Sequence, residues 1–278
     1  MDEGAGGVRI AAQLVSSPHP MQTLFARRFE VLAQAVRRMQ MKADTRCNRD
    51  DPLSPAYVKI LVIDIGGSHV KLLATGKRTP LKLPSGPALT PQAMVNEVLT
   101  ATADWTFEAV SIGYPGPVAE NRPLAEPVNL GHGWVRFDYA AAFKRPVKIV
   151  NDAAMQALGS YDGGRMLFMG LGTGLGMTLV RDGIAVPLEV AHLPYRKGRS
   201  YEDYLGDKGL KRLGVEKWRR HVGEVVALFL AALTSEYVVL GGGNVRMLEE
   251  LPPNARRGSN LNAFRGGYRL WQKRARLA

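Results

Sequence analysis

Apolar positions dominate the stretch from Ile60 to Ile63, which runs into Asp64 and Ile65, breaks at Gly66-Gly67-Ser68, and turns apolar again at Val70 and Leu72. That pattern predicts a buried strand, a tight glycine turn and a second strand. Roughly a hundred residues later it returns, with Met166 to Leu171, then Gly172-Thr173-Gly174, then Leu175 to Val180. Two such units predict two halves built on one plan.

Between and after them the texture is α/β from Val58 onward. Pro91–Thr102 reads as a helix and Ala109–Ile112 as a strand, ending in the rigid loop Gly113-Tyr114-Pro115-Gly116-Pro117. A short helix is expected at Ala140–Phe143. The strand Val147–Val150 then delivers Asn151-Asp152 to the start of a helix over Ala153–Leu158. Ligands favour the carboxyl ends of strands in open α/β sheets, which draws attention to that pair. Further helices are predicted at Leu210–Arg220 and His221–Leu233. The strand Val238–Leu240 runs into Gly241-Gly242-Gly243-Asn244, and a closing basic helix is expected over Arg265–Leu277.

Residues 1–57 have a different texture. Gly4 to Gly7 is loose, Ser16-Ser17-Pro18-His19-Pro20 breaks structure, and Asn48 to Pro55 is polar and proline-bearing. Thr23–Met41 reads as one basic amphipathic helix, with Phe25, Phe29, Leu32 and Val36 on a face. The segment is expected to be a poorly ordered extension, and Met39 and Met41 offer alternative starts. The expected layout is therefore an extension at 1–57, an N-terminal lobe at 58–150, a C-terminal lobe at 151–264 and the closing helix at 265–278.

Length and composition narrow the class. The chain has 278 residues, enough for one large or two modest domains. Its single cysteine, Cys47, excludes an internal disulfide and a cysteine-rich zinc cluster, and fits a cytoplasmic protein. No secretory signal is visible. The longest apolar run, Val225 to Leu233, has nine residues, well short of the ~20 a membrane helix needs. The formal charge of +12 divides as +2 over residues 1–57, +2 over 58–205 and +8 over 206–278. A basic last quarter suits nucleic acid, anionic lipid or a polyanionic substrate, and it equally suits a plain solvated surface.

The chemistry-bearing residues lie at the glycine turns and strand ends. The chain holds neither G-x-x-x-x-G-K-[ST] nor an intact G-x-G-x-x-G. Two glycine hairpins, Gly66-Gly67-Ser68 and Gly172-Thr173-Gly174, can instead close on a phosphoryl chain from opposite sides, because backbone N–H groups approach closely where Cβ atoms are missing. Asp64 stands where a carboxylate can hold a metal or its water. Asp152 is the catalytic candidate, and capping its helix is its alternative role. Asn151 bonds either a substrate hydroxyl or its own backbone. Glu189 and His192 are three apart and would share a face of a helical turn, as hydroxyl binders or as a surface pair.

Taken together these stretches resemble the ROK sugar-kinase family of the hexokinase–actin–Hsp70 superfamily. Asp64-Ile65-Gly66-Gly67-Ser68 resembles its first phosphate motif and Leu171 to Gly176 its second. Gly113 to Val118 is similar to its sugar-domain loop, and Asn129-Leu130 with Trp134 to the stretch after it. Asn151-Asp152-Ala153 is similar to the segment with the catalytic base, and Leu240 to Asn244 to the adenosine-side motif.

The resemblance implies a two-lobed actin-like ATPase (ribonuclease H-like) α/β fold with an active-site cleft between the lobes. It implies Asp152 as the base and Asn151, Glu189, His192 and Glu202 as the sugar-binding set. Asp64, Gly66, Gly67, Ser68, Gly172, Thr173, Gly174, Gly242 and Gly243 are implied on the donor side, with Mg²⁺ at Asp64, directly or through water. The family's cysteine loop is replaced here by Pro194-Tyr195-Arg196-Lys197-Gly198-Arg199-Ser200, so no structural zinc is expected. That departure, and a short C-terminal lobe, are similar to the polyphosphate glucokinase branch. The implied activity is a glucokinase using inorganic polyphosphate and/or ATP. Alternatives are another hexose acceptor (mannose, fructose, an N-acetylhexosamine) and a non-catalytic, sugar-responsive regulator. A homodimer is expected, with no membrane and no nucleic acid partner.

Overall fold

The computed structural model describes residues 58–259, 261–272 and 276–277; the helix expected at Thr23–Met41 and the expected extension at 1–57 lie outside the described residues. Two sheets follow one recipe. In the first, β1 (Ile60–Ile65), β2 (His69–Ala74) and β3 (Leu81–Pro84) form an antiparallel meander. Helix α1 (Pro91–Ala101) crosses back to β4 (Ala109–Tyr114), which lies parallel to β1. Helix α2 (Tyr139–Phe143) leads to β5 (Val147–Asn151), parallel to β4, and α3 (Asp152–Ser160) follows directly.

The second sheet repeats the plan. A meander of β6 (Arg165–Leu171), β7 (Leu175–Arg181) and β8 (Ile184–Leu188) comes first. Helices α4 (Tyr201–Leu205), α5 (Asp207–Leu213) and α6 (Val215–Ala232) then cross to β9 (Tyr237–Gly241), parallel to β6. Strand β10 (Ala255–Arg257) adds parallel to β9, α7 (Asn262–Arg269) follows, and β11 (Arg276–Leu277) joins the far edge beside β8. The orders are β3-β2-β1-β4-β5 and β11-β8-β7-β6-β9-β10, so each meander sits on the same side of its parallel strands.

The continuous apolar runs have a packing cause. Leu61, Ile63 and Ile65 of β1 point into one core with α1 and α2, while Ile60 and Val62 point into a second core with α3 and α7. Strand β6 does likewise: Met166 and Phe168 face that second core, and Leu167, Met169 and Leu171 face a third with α4 and α6. Side chains alternate along a strand, so a strand covered on both faces reads as an unbroken apolar run. Helices α3 and α7 thus fill the layer between the two sheets.

Only a slim helix pair fits there. Gly159 of α3 lies against the Asn262 carbonyl, and Gly266 of α7 against the Met155 carbonyl, with no room for a Cβ at either. A polar link joins the pair, where Asn262 Nδ2 donates to Ser160 Oγ (2.7 Å), and another ties α7 to β4, where Ser111 Oγ donates to the Gly267 carbonyl (2.7 Å). Trp271 Nε1 donates in turn to Ser111 Oγ at 2.9 Å.

Two helix boundaries differ from expectation. The chain breaks at Gly214 (φ +75°), not between Arg220 and His221, and α6 runs through both. The buried stripe Trp218, Val222, Val225, Val226 and Phe229 is continuous across that point, and burial holds the helix in one piece. The closing helix expected over 265–278 instead begins at Asn262 and ends at Arg269, after which the chain extends into β11.

Candidate active site

Strand β5 and helix α3 meet at Asn151-Asp152. Asn151 caps the helix: its Oδ1 accepts from the Ala154 N–H at 3.1 Å, and its Nδ2 donates to the Gly116 carbonyl at 3.1 Å. One side chain therefore starts the helix and ties the Pro115–Pro117 stretch to it; Gly113 and Tyr114, expected in that loop, extend β4 because they pair with Val150 and Asn151 of β5. With capping assigned to Asn151, the Asp152 carboxylate is turned to the cleft, its Oδ1 accepting only the neighbouring Ala153 N–H at 2.7 Å. Met155, Ala153 and Ala157 on α3 are buried, so the helix cannot shift easily.

Asp152 has an unusual pKa. Burial pushes it up to about 7, the negative charge of Asp64 adds to the rise, and the Ala153 N–H and the Lys71 ammonium oppose it. Asp64 lies below the cleft surface, 6% exposed, at the end of β1. Directly across the hairpin, Lys71 of β2 pairs with it in register, with Nζ to Oδ2 at 3.1 Å.

A cleft of about 580 Å³ opens above Asp152. Gly66 and Gly67 at the β1–β2 turn line it, as do Gly172, Thr173 and Gly174 at the β6–β7 turn and Gly242 after β9. Pro115, Gly116, Asn129, Glu189, His192 and Glu202 line it as well, with Asn129 packed against Gly67 and Glu202 against Gly174. So the fold brings together Asn151, Asp152, Glu189, His192, Glu202, Gly66, Gly67, Gly172, Thr173, Gly174 and Gly242. It leaves Asp64 beneath the surface, and Ser68 and Gly243 are exposed and outside the lining. The Ser68 carbonyl instead accepts the Ser85 N–H at 3.2 Å, holding β2 to the segment after β3.

The second glycine loop is held from three sides. Glu202 Oε2 accepts the Leu175 N–H at 3.1 Å. The Asp207 N–H donates to the Gly172 carbonyl at 2.9 Å. Asn244 Nδ2 donates to Asp207 Oδ1 at 2.6 Å and to the Gly172 carbonyl at 3.2 Å. Gly242 (φ +85°) presses against the Leu171 carbonyl, where a Cβ has no room. The third glycine motif thus buttresses the second.

Glu189 and His192 do not lie on a helix. They follow β8 in a turn closed by the Leu193 N–H on the Val190 carbonyl (3.1 Å), and the Glu202 N–H on the Ala191 carbonyl (2.9 Å) ties that turn to α4. The stretch that lacks cysteines is a small hairpin, Pro194–Arg196 against Arg199–Ser200. Its Tyr195 stacks on Tyr201 (4.8 Å) and meets Tyr204 edge-on (5.0 Å), and its hydroxyl donates to Glu224 Oε2 at 3.0 Å. Aromatic packing performs the stapling of this segment.

The sequence patterns single out none of Lys71, Gln156, Phe168, Asp203 and Lys208 for the site, and Asn244 only as the end of the Leu240 to Asn244 motif. Two had a usable signal. Counting back across the β1–β2 turn pairs Asp64 with Lys71, and Gln156 sits four residues after Asp152 on the same helix face. Phe168, Asp203, Lys208 and Asn244 reach the site only through tertiary packing.

No protein-family model matches the chain. No curated protein matches it in sequence. Its structural neighbours are ROK family proteins, chiefly sugar kinases. The inorganic polyphosphate/ATP-glucomannokinase of Arthrobacter sp. strain KM is 23% identical with a TM-score of 0.62, over 77% of this chain and 98% of that one. A ROK family glucokinase from Streptomyces griseus, solved with glucose and AMPPNP, is 16% identical with a TM-score of 0.61, over 77% and 98%. A ROK family transcriptional regulator, a homologue of the E. coli MLC protein, is 14% identical with a TM-score of 0.58, over 77% of each chain. At these identities the likeness establishes the fold: a two-lobed, mixed α/β actin-like ATPase fold.

Proposed function

We propose that the chain is a hexose kinase, most specifically a glucokinase, that moves a terminal phosphoryl group from polyphosphate and/or ATP to the 6-hydroxyl of glucose. The observation that carries this reading is Asp152: a carboxyl group with a pKa of about 7, in a cleft walled by two glycine hairpins and flanked by hydroxyl-binding side chains. A base titrating near neutral pH is suited to take a hydroxyl proton.

In this reading Asp152 accepts the proton as the sugar oxygen attacks phosphorus. Glu189 and His192 hold the sugar's other hydroxyls. Glu202 keeps Oε2 on the Leu175 N–H and offers Oε1 to the sugar. Asn151 retains one amide hydrogen beyond its bond to Gly116, and chiefly fixes Asp152 and the stretch after β4 that holds Gly116. The Gly66 and Gly172 N–H groups close their turns on the His69 and Gly174 carbonyls, at 3.0 and 3.1 Å, which leaves the N–H groups of Gly67, Thr173 and Gly174 to hold donor phosphates, with Gly242 behind them. Transfer relies on positioning and charge stabilisation.

The carboxylates fit Mg²⁺ arriving with donor phosphates, since that ion is commonly held by one or two carboxylates plus phosphate oxygens. Asp64 would hold it, directly or through water, through an Oδ1 that accepts nothing from the described residues, and Asp152 is close enough for the two charges to interact. When bound, Mg²⁺ supplies charge neutralisation at the phosphoryl oxygens.

A coupled assay crossing glucose, mannose, fructose and N-acetylhexosamines with ATP and polyphosphate tests the proposal. Transfer to glucose from either donor is expected. Absence of transfer for every pair would overturn it.

A further inference from the structure

We propose that Lys208 is a donor-binding residue that holds the phosphate next to the one transferred; the inference rests on the kinase reading and names a donor contact within the same site. Among the described residues, Lys208 is the only lysine or arginine that lines the cleft. It is exposed and forms an ion pair with no carboxylate among the described residues. Asp203 feels its charge, but that carboxylate is already held by the Ser200 N–H and hydroxyl at 3.0 Å each. The ammonium is thus available to a ligand in the cleft.

Its backbone is not free to wander. The neighbouring Asp207 bonds the Gly172 carbonyl through its N–H and receives the Asn244 amide on its carboxylate. Gly206 is packed against the Thr173 carbonyl so closely that a Cβ there would stand 3.0 Å from it. The start of α5 therefore moves with the Gly172-Thr173-Gly174 loop as one body. A lysine stem on that body carries its charge into the cleft beside the Gly172-Thr173-Gly174 loop. Glycine-loop N–H groups alone bring no formal positive charge to a polyanion, and one flexible ammonium supplies it.

In the transfer step the sugar 6-oxygen forms a bond to the terminal phosphorus, and its proton passes to Asp152. The bond from that phosphorus to the bridging oxygen breaks. The bridging oxygen departs with the electron pair on the shortened donor, and the Lys208 ammonium offsets the added negative charge.

The test is steady-state kinetics of the full chain with varied donor at saturating sugar and varied sugar at saturating donor. Lys208→Ala should raise the donor KM by about 10-fold or more, in line with loss of one hydrogen bond to a charged group, and leave the sugar KM unchanged. Lys208→Arg should restore most of the loss and Lys208→Glu should deepen it. Equal donor KM in wild type and Lys208→Ala, or parallel changes in both KM values, would overturn the proposal. Isothermal titration with inorganic tripolyphosphate gives a readout independent of turnover. Binding that weakens in Lys208→Ala supports the contact even if no sugar is phosphorylated, an outcome that would sink the kinase reading alone. Unchanged tripolyphosphate affinity would sink the contact. Equal melting temperatures of the variants, expected for an exposed side chain, show that folding is not the cause.

Discussion

Asp152 links protonation to both activity and stability. In the folded chain its carboxyl holds a proton up to about pH 7, whereas an ordinary aspartate loses it near 3.8. A base must be ionised, so kcat/KM is expected to rise with pH through about 7 and level off above it. A rate already flat from pH 5 upward would contradict that. Stability runs the other way. A pKa raised on folding favours the folded state at low pH, and that advantage is lost as pH rises from 3.8 through 7. Asp152→Asn abolishes the charged form, so the variant should melt above wild type at pH 8, with a smaller gap at pH 5. Its turnover should fall at least ~10²-fold, the lower end for general-base catalysis. Near wild-type turnover would remove Asp152 from the role. Glu189→Gln should raise the sugar KM more than the donor KM, and equal effects on both would argue against sugar contact.

At the scale of elements, the site depends on how closely helices and loops approach one another. Helix α3 carries Asp152 at its first turn and touches α7 through Gly159 and Gly266. Gly266→Ala places a methyl group against the Met155 carbonyl and must push the helices apart. Overpacking of this kind costs roughly 1–3 kcal/mol, which urea unfolding would read as a lower midpoint at similar slope. An unchanged midpoint would mean that the helix pair is looser than the geometry indicates. The glycine hairpins themselves were legible because each is local: apolar run, glycine turn, apolar run. The helix boundary at Gly214 was not, because only the buried stripe of α6 shows that the helix crosses Arg220 and His221 unbroken.

Across the whole molecule, one plan used twice produces a cleft between two sheets with a shared helical layer. Binding of sugar beside Glu189 and His192 should stabilise the folded chain by mass action, by about 2.7 kcal/mol at a hundred times the Kd. Thermal melting with glucose should show a saturable rise that Glu189→Gln moves to higher sugar concentration. No rise at any glucose concentration would argue against glucose as the ligand.

By itself the sequence determined the local events: where strands are buried, where glycine opens a turn, and that the two hairpins share a pattern. These follow from periodicity and backbone freedom over a few neighbouring residues. Tertiary structure decided how those pieces meet. It gave capping to Asn151 and so left the Asp152 carboxylate facing the cleft. It set Glu202 and Asn244 as props of the Gly172–Gly174 loop, kept Ser68 and Gly243 off the cleft wall, and set Lys208 on it. Those outcomes depend on which helix fills the layer between two sheets and how near it can come. Apart from the Asn151 cap, which is a local bond to Ala154, that is a matter of contacts between residues tens of positions apart, which no short pattern encodes.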